Sequence, residues 1–183
     1  MYKRQAKHNN FEYIKLKVDQ DNIERIINHY SKTSSKPFVV DANQGFTDKN
    51  IALEWTHKLL ERHVAYLEQP FDKDDLESHE WLKERSPIPI IADESFQSIS
   101  DLKKVQDAFD GINIKLMKCG GIFNAFNCFQ EAKSLELKTV LGCMSESSIA
   151  IDAAWNLAPL ANWVDLDGPF LITNDTKDPA FLF

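Results

Sequence analysis

Short apolar runs ending in a charged or polar residue recur along this chain at a nearly constant interval. The markers Lys17, Asp41, Glu68, Asp93, Lys115, Cys143 and Asp165 fall in steps of 24, 27, 25, 22, 28 and 22 residues. A strand of about five residues, a helix of about eleven and two short loops need that length. The strand pattern appears in FEYIKLK, PFVVDAN, VAYLEQP, PIPIIADES, INIKLMKCGG, KTVLGCM and WVDLDG. Between them lie segments of helical periodicity, such as Asp21–Ser31 with Ile23, Ile26, Ile27 and Tyr30 on one face. Alternation of this kind builds parallel βαβ units with right-handed crossovers. Phe38–Asp41 is apolar on both faces, as strands of a helix-covered parallel sheet are.

The intervening helices follow from start signals and faces. Thr47 or Asp48 can cap a helix carrying Ile51, Trp55, Leu59 and Leu60. Asp74–Arg85 is charged enough to lie outermost. Ser98–Ala108 reads as one helix with Ser100 as its cap, and Ser147–Leu160 as another. Phe123–Leu135 is expected to turn Phe126, Phe129 and Ala132 inward. Gly120-Gly121 marks a turn needing positive φ or close approach. Residues 1–10 are polar and unpatterned, and the tail Ile172–Phe183 reads as a loop with an apolar end.

An open doubly wound sheet fits this order, but a (β/α) barrel fits it better. Polar residues stand at the carboxyl end of nearly every strand, and a barrel gathers all those ends at one mouth. An open sheet spreads them along an edge, with only the switch point functional. The expected fold is therefore α/β, a TIM-like barrel, read as one partial domain over residues 1–183. A full barrel needs eight strands and usually at least about 200 residues. Only about seven strands are legible here, so an incomplete barrel is expected.

Net charge of −7 with no basic face argues against nucleic-acid and anionic-membrane partners. Cys119, Cys128 and Cys143 have no paired spacing, which suits a reducing compartment. The start MYKRQAKHNN lacks the apolar stretch of a signal peptide. No run reaches the length of a membrane span. The expected location is the cytoplasm. Whether several copies assemble is left open.

Asp41, Glu68 and Asp93 end three consecutive strands. Neighbouring strands lie about 4.8 Å apart, so three such carboxylates can share one ion. Oxygen-only ligands suit Mg²⁺. Singly, each is equally readable as a solvated loop charge or a helix cap. Lys15 and Lys17 point the same way from their strand, and Lys115 ends another. A lysine close to a divalent cation and a second ammonium has its charged form disfavoured and can act as a base.

KLK at 15–17, DAN at 41–43, LEQP at 67–70, ADES at 92–95 and IKLMKCGG at 114–121 together resemble the muconate-lactonizing subgroup of the enolase superfamily. The resemblance implies a barrel of the (β/α)7β type. It implies Mg²⁺ held by Asp41, Glu68 and Asp93, stabilising an enediolate. Lys17 and Lys115 would be the catalytic bases on opposite faces of a substrate α-carbon. Lys15 would tune Lys17, with Asn43 and Glu94 as supporting residues. DLDG at 165–168 resembles the Asp-x-Asp with which the dipeptide epimerases of this subgroup grip a substrate ammonium, here Asp165 and Asp167. Met144, Ser145 and Glu146 resemble the loop after the seventh strand that contacts the peptide.

The implied activity is inversion of a dipeptide α-carbon by two-lysine 1,1-proton transfer. Muconate cycloisomerase or o-succinylbenzoate synthase chemistry on the same barrel is the alternative, and an inactive truncated fragment is another. Set against the family pattern, the N-terminal capping domain, the first barrel strand and a normal C-terminal segment are expected to be missing from this stretch. It also carries Asp19 where the family usually has glycine after the KxK strand.

Overall fold

The structure is a computed structural model describing residues 11–175. Expectations for residues 1–10 and for the apolar end of the tail at 176–183 lie outside the described residues. The chain forms two compact units. One runs to Ser95 and includes Asp107–Asp110. The other comprises Phe96–Gln106 and the residues from Gly111 onward.

In the first unit β1 (Ile14–Lys17), β2 (Phe38–Asp41), β3 (Val64–Glu68) and β4 (Ile90–Ala92) pair in chain order, every pair parallel. Helices α1 (Ile23–Thr33), α2 (Lys49–Leu60) and α3 (Leu76–Lys83) separate them. All four residues of β2 are buried, as expected of a strand covered on both faces. Leu16, Val40, Leu67 and Ile91 from the strands and Ile27, Leu59 and Leu82 from the helices are wholly buried. A large side chain buried this way is worth about 1.5–3 kcal/mol.

Asp48 caps α2, accepting from the Asn50 and Ile51 amides. Leu60 faces water instead, because the apolar stripe of α2 runs through Ala52, Trp55 and Leu59. Asp19 has a structural task. Its Oδ1 accepts from the Asp21 and Asn22 amides at 3.0 and 2.9 Å, and Oδ2 accepts from the Asn22 side chain. The carboxylate thus organises the start of α1, against Gly45, where an added Cβ would lie 2.7 Å from that of Asp19.

The second unit pairs β5 (Gly111–Lys115), β6 (Lys138–Gly142) and β7 (Trp163–Asp165), again parallel. Its helices are α4 (Leu102–Val105), α5 (Leu116–Cys119), α6 (Ile122–Ser134) and α7 (Ser148–Trp155). Four expectations are corrected here. The segment from Ser98 is a 3₁₀ turn (Ile99–Asp101) followed by the one-turn α4, and Ser98 makes the capping box with Asp101; Ser100 is not the cap. The strand expected over Gly111–Met117 stops at Lys115, and Leu116–Cys119 winds into α5. Phe126 is 41% exposed, because the buried stripe of α6 is Ala125, Cys128, Phe129 and Ala132. The helix from Ser147 ends at Trp155, and Ala158–Leu160 forms a separate 3₁₀ turn with Pro159 in its first turn. Gly120 and Gly121 adopt φ of 81° and 111°, as the turn requires. Among the described residues no helix is long and apolar enough to cross a membrane.

His79 on α3 is wholly buried. Its Nδ1–H donates to the Asp75 carbonyl at 2.7 Å, while Nε2 accepts from the Phe71 amide at 3.3 Å. Burial pulls its pKa down to about 4, against the Asp75 carbonyl and the Asp75 and Asp72 charges, which pull it up. The unfolded chain therefore binds a proton near pH 6.5 that the folded chain refuses. The stability held by neutral His79 is complete above pH 6.5 and lost as pH falls towards 4, about 3 kcal/mol in all. Urea unfolding of the protein and of His79→Gln should differ most at pH 7, with the gap closing by pH 4. A gap independent of pH would refute this account.

Candidate active site

The register sets the site's level in the first unit. Lys17 pairs with Asp41, Asp41 with Glu68, and Glu68 with Ile91. The ladder continues past the strands, with the amides of Val18, Ala42 and Gln69 donating to the carbonyls of Asp41, Glu68 and Ile91 at 2.9 Å each. Lys17, Asp41 and Glu68 thus stand side by side at three carboxyl ends. Asp93 follows two residues beyond Ile91, on the turn leaving β4. Within three residues of the two strand carboxylates, Asn43 (φ 43°), Gln44 (φ 65°) and Gln69 (φ 39°) take left-handed conformations. For residues other than glycine these cost about 1–3 kcal/mol each and gather where a site dictates the backbone.

The carboxylates are deeply buried: Asp41 is 1% exposed, Glu68 0% and Asp93 4%. Lys15 Nζ lies 2.9 Å from Glu68 and 3.4 Å from Asp41. Lys17, half exposed, donates to Asp41 at 3.1 Å and to Asn43 Oδ1 at 2.8 Å. Asn43 in turn donates to Glu94 at 3.3 Å, and its amide N–H holds Asp41 Oδ1 at 3.0 Å. The supporting residues expected from the sequence, Lys15, Asn43 and Glu94, therefore sit in one hydrogen-bonded cluster with Lys17 and Asp41.

Burial pushes Glu68 up to about 7; Lys15 opposes this, and the charges of Asp41 and Asp93 add to it. Burial, then Asp93, also raises Glu94. Among the described residues no three His, Cys, Asp or Glu side chains stand arranged to grip one ion. Lys15 is the cation seated between Asp41 and Glu68. The donor chemistry nevertheless fits a hard divalent ion: oxygen ligands only, removed from water, and crowded enough that Glu68 resists ionising.

Gln69 and His79 are the residues that sequence reading overlooks. Gln69 is wholly buried. Its Oε1 accepts from the amides of Asp93 at 2.9 Å and Ser95 at 3.1 Å. Its Nε2 donates to Ser95 Oγ at 2.8 Å and to Phe71 O at 3.2 Å, and lies 3.3 Å from His79 Nε2. The available signal was the Gln in LEQP, but nothing local links it to a histidine ten residues on.

In the second unit Lys115, Gly142 and Asp165 share one level across β5, β6 and β7. Lys115 is buried, at 8% exposure. Glu146 folds back so that Oε1 accepts from the Met144 amide at 2.8 Å, leaving Met144 and Ser145 exposed. A Cβ on Gly168 would fall 2.5 Å from the Met144 carbonyl, so only glycine lets the DLDG turn press against that loop. Asp165 and Asp167 are half-buried. With Glu146 they help hold the Cys143 thiol up at about 12, after burial itself.

Parallel β/α units with lysines and carboxylates at their strand ends define a protein of the α/β-barrel class, in which chemistry is carried at the carboxyl ends of strands. Residues 1–168 match the family model described as enolase C-terminal domain-like. The chain belongs to that family. It is 41% identical over 165 residues to the L-Ala-D/L-Glu epimerase of Bacteroides thetaiotaomicron, covering 90% of this chain and 43% of that protein. It is 44% identical over 138 residues to the L-Ala-D/L-amino acid epimerase of Pedosphaera parvula, covering 74% and 40%. A solved structure of an L-Ala-D/L-Glu epimerase superposes with TM-score 0.86 at 32% identity, over 96% of this chain and 55% of that one. The fold is thus that of the barrel portion of these proteins, as the sequence led one to expect. The chain spans about half the length of the curated relatives it matches.

Proposed function

We propose that this chain is the catalytic portion of a Mg²⁺-dependent dipeptide epimerase working in the cytoplasm. The buried Asp41–Glu68 pair flanked by Lys15 and Lys17, in a chain 41% identical to an L-Ala-D/L-Glu epimerase, carries the reading.

Asp41, Glu68 and Asp93 would hold the cation. When bound, it supplies Lewis-acid stabilisation for the charge that grows on the substrate carboxylate as the α-proton leaves. Lys17 Nζ and Lys115 Nζ exchange the proton with the α-carbon. One takes it as the C–H bond breaks, the other delivers one to the opposite face, and the roles reverse in the other direction. Asn43 Oδ1 and Asp41 hold Lys17 in place, and Lys15 keeps a positive charge beside it. Asp165 and Asp167 pair with the ammonium of the substrate, a cation that two carboxylates suit. Met144, Ser145 and Glu146 line the peptide.

The test is ¹H NMR of Ala-Glu and related dipeptides with the protein and Mg²⁺ in D₂O. Loss of the α-proton signal with growth of the second epimer is the expected result. No exchange on any dipeptide of the panel, from protein that binds the cation, would reject the substrate class.

A further inference from the structure

We infer that Gln69 is a positioning residue for the β4 carboxylate, with its amide orientation locked by the neutral His79. The inference rests on the reading of Asp93 as a ligand of the cation. Asp93 follows the end of β4, so the strand ladder alone does not fix its backbone. What holds it is Gln69 Oε1, which takes the Asp93 and Ser95 amides together.

A primary amide can sit either way round, and only its neighbours choose. The Phe71 amide donates to His79 Nε2, and His79 Nδ1 faces the Asp75 carbonyl. The proton is therefore on Nδ1, and Nε2 is an acceptor. An acceptor at 3.3 Å demands the NH₂ end of Gln69, as do Phe71 O and Ser95 Oγ. Ser95 Oγ passes its own proton to the Lys73 carbonyl at 2.8 Å, so it too accepts from Gln69. Reversing the amide would put an oxygen against three acceptors and an N–H against two amides. The whole group is buried, where unpaired polar atoms cost most. Orientation thus passes from the Asp75 carbonyl through His79 and Gln69 to the turn that carries Asp93. Partners of this kind, one step behind a metal ligand, are worth about 10–100-fold in cation affinity.

The experiment measures Mn²⁺ binding to the full chain by EPR, for the protein, Gln69→Met and Ser95→Ala, with thermal melting alongside. Gln69→Met keeps the volume and removes both ends of the amide. Ser95→Ala leaves both Oε1 bonds in place. The expected result is about a 10–100-fold weaker affinity for Gln69→Met, and an altered Mn²⁺ spectrum, with Ser95→Ala binding as the protein does. Equal affinity in Gln69→Met, or equal losses in both variants, would overturn the positioning role. Failure of the unaltered protein to bind Mn²⁺ would instead overturn the ligand reading beneath it. Should Gln69→Met not fold, ¹⁵N spectra of the unaltered protein at pH 7 decide. An unprotonated Nε2 on His79 upholds the lock, and a proton there overturns it.

Discussion

Replacing Lys115 by methionine is expected to stop epimerisation, by a factor of about 10²–10⁴ or more, while solvent exchange persists in one epimer. Lys17 would still remove the α-proton on its own face and return deuterium to that face, retaining configuration. Lys17→Met should give the mirror result, with exchange surviving only in the opposite epimer. Methionine keeps the unbranched stem of each lysine and removes the ammonium, so the strand packing around buried Lys115 is preserved. Exchange followed by ¹H NMR from each pure epimer separates the two bases. Epimerisation at normal rates in either variant would exclude that lysine from the reaction.

Glu68→Gln is expected to lose both cation binding and activity. Glu68 is wholly buried between Lys15 and the other carboxylates, and it resists ionisation up to about 7. A cation is the partner that would relieve it. Mg²⁺ at about a hundred times its dissociation constant should stabilise the protein by about 2.7 kcal/mol. For a chain of this size that raises the melting temperature by roughly 5–10 °C. In Glu68→Gln the rise should vanish, and turnover should fall by the several kcal/mol that a Lewis acid contributes. Differential scanning calorimetry with Mg²⁺ or EDTA reads the first effect. An undiminished Mg²⁺ shift in the variant would remove Glu68 from the ligand set.

The strand order and the level of Lys17, Asp41 and Glu68 were readable because a parallel strand declares itself locally. It is an apolar run, covered on both faces, with its polar residue at the end. A cap at Thr47 or Asp48 is equally local, since a side chain two or three residues from an orphan amide has few other roles, and the structure selects Asp48. The exposure of Phe126 is not legible locally, for the opposite reason. On α6 the apolar residues extend past one face, and only the neighbouring sheet selects Ala125, Cys128, Phe129 and Ala132 as the buried stripe.

Sequence alone determined the repeating β/α grammar, the family and the residues at the strand ends, because each is written in contiguous residues. Tertiary structure decided the rest: that Lys15 sits between Asp41 and Glu68, that burial lifts Glu68 towards neutrality, and that Gln69 ties β3 to the turn carrying Asp93. Those outcomes depend on desolvation and on hydrogen bonds between residues far apart in the chain. Both exist only once the strands have paired and water has been excluded.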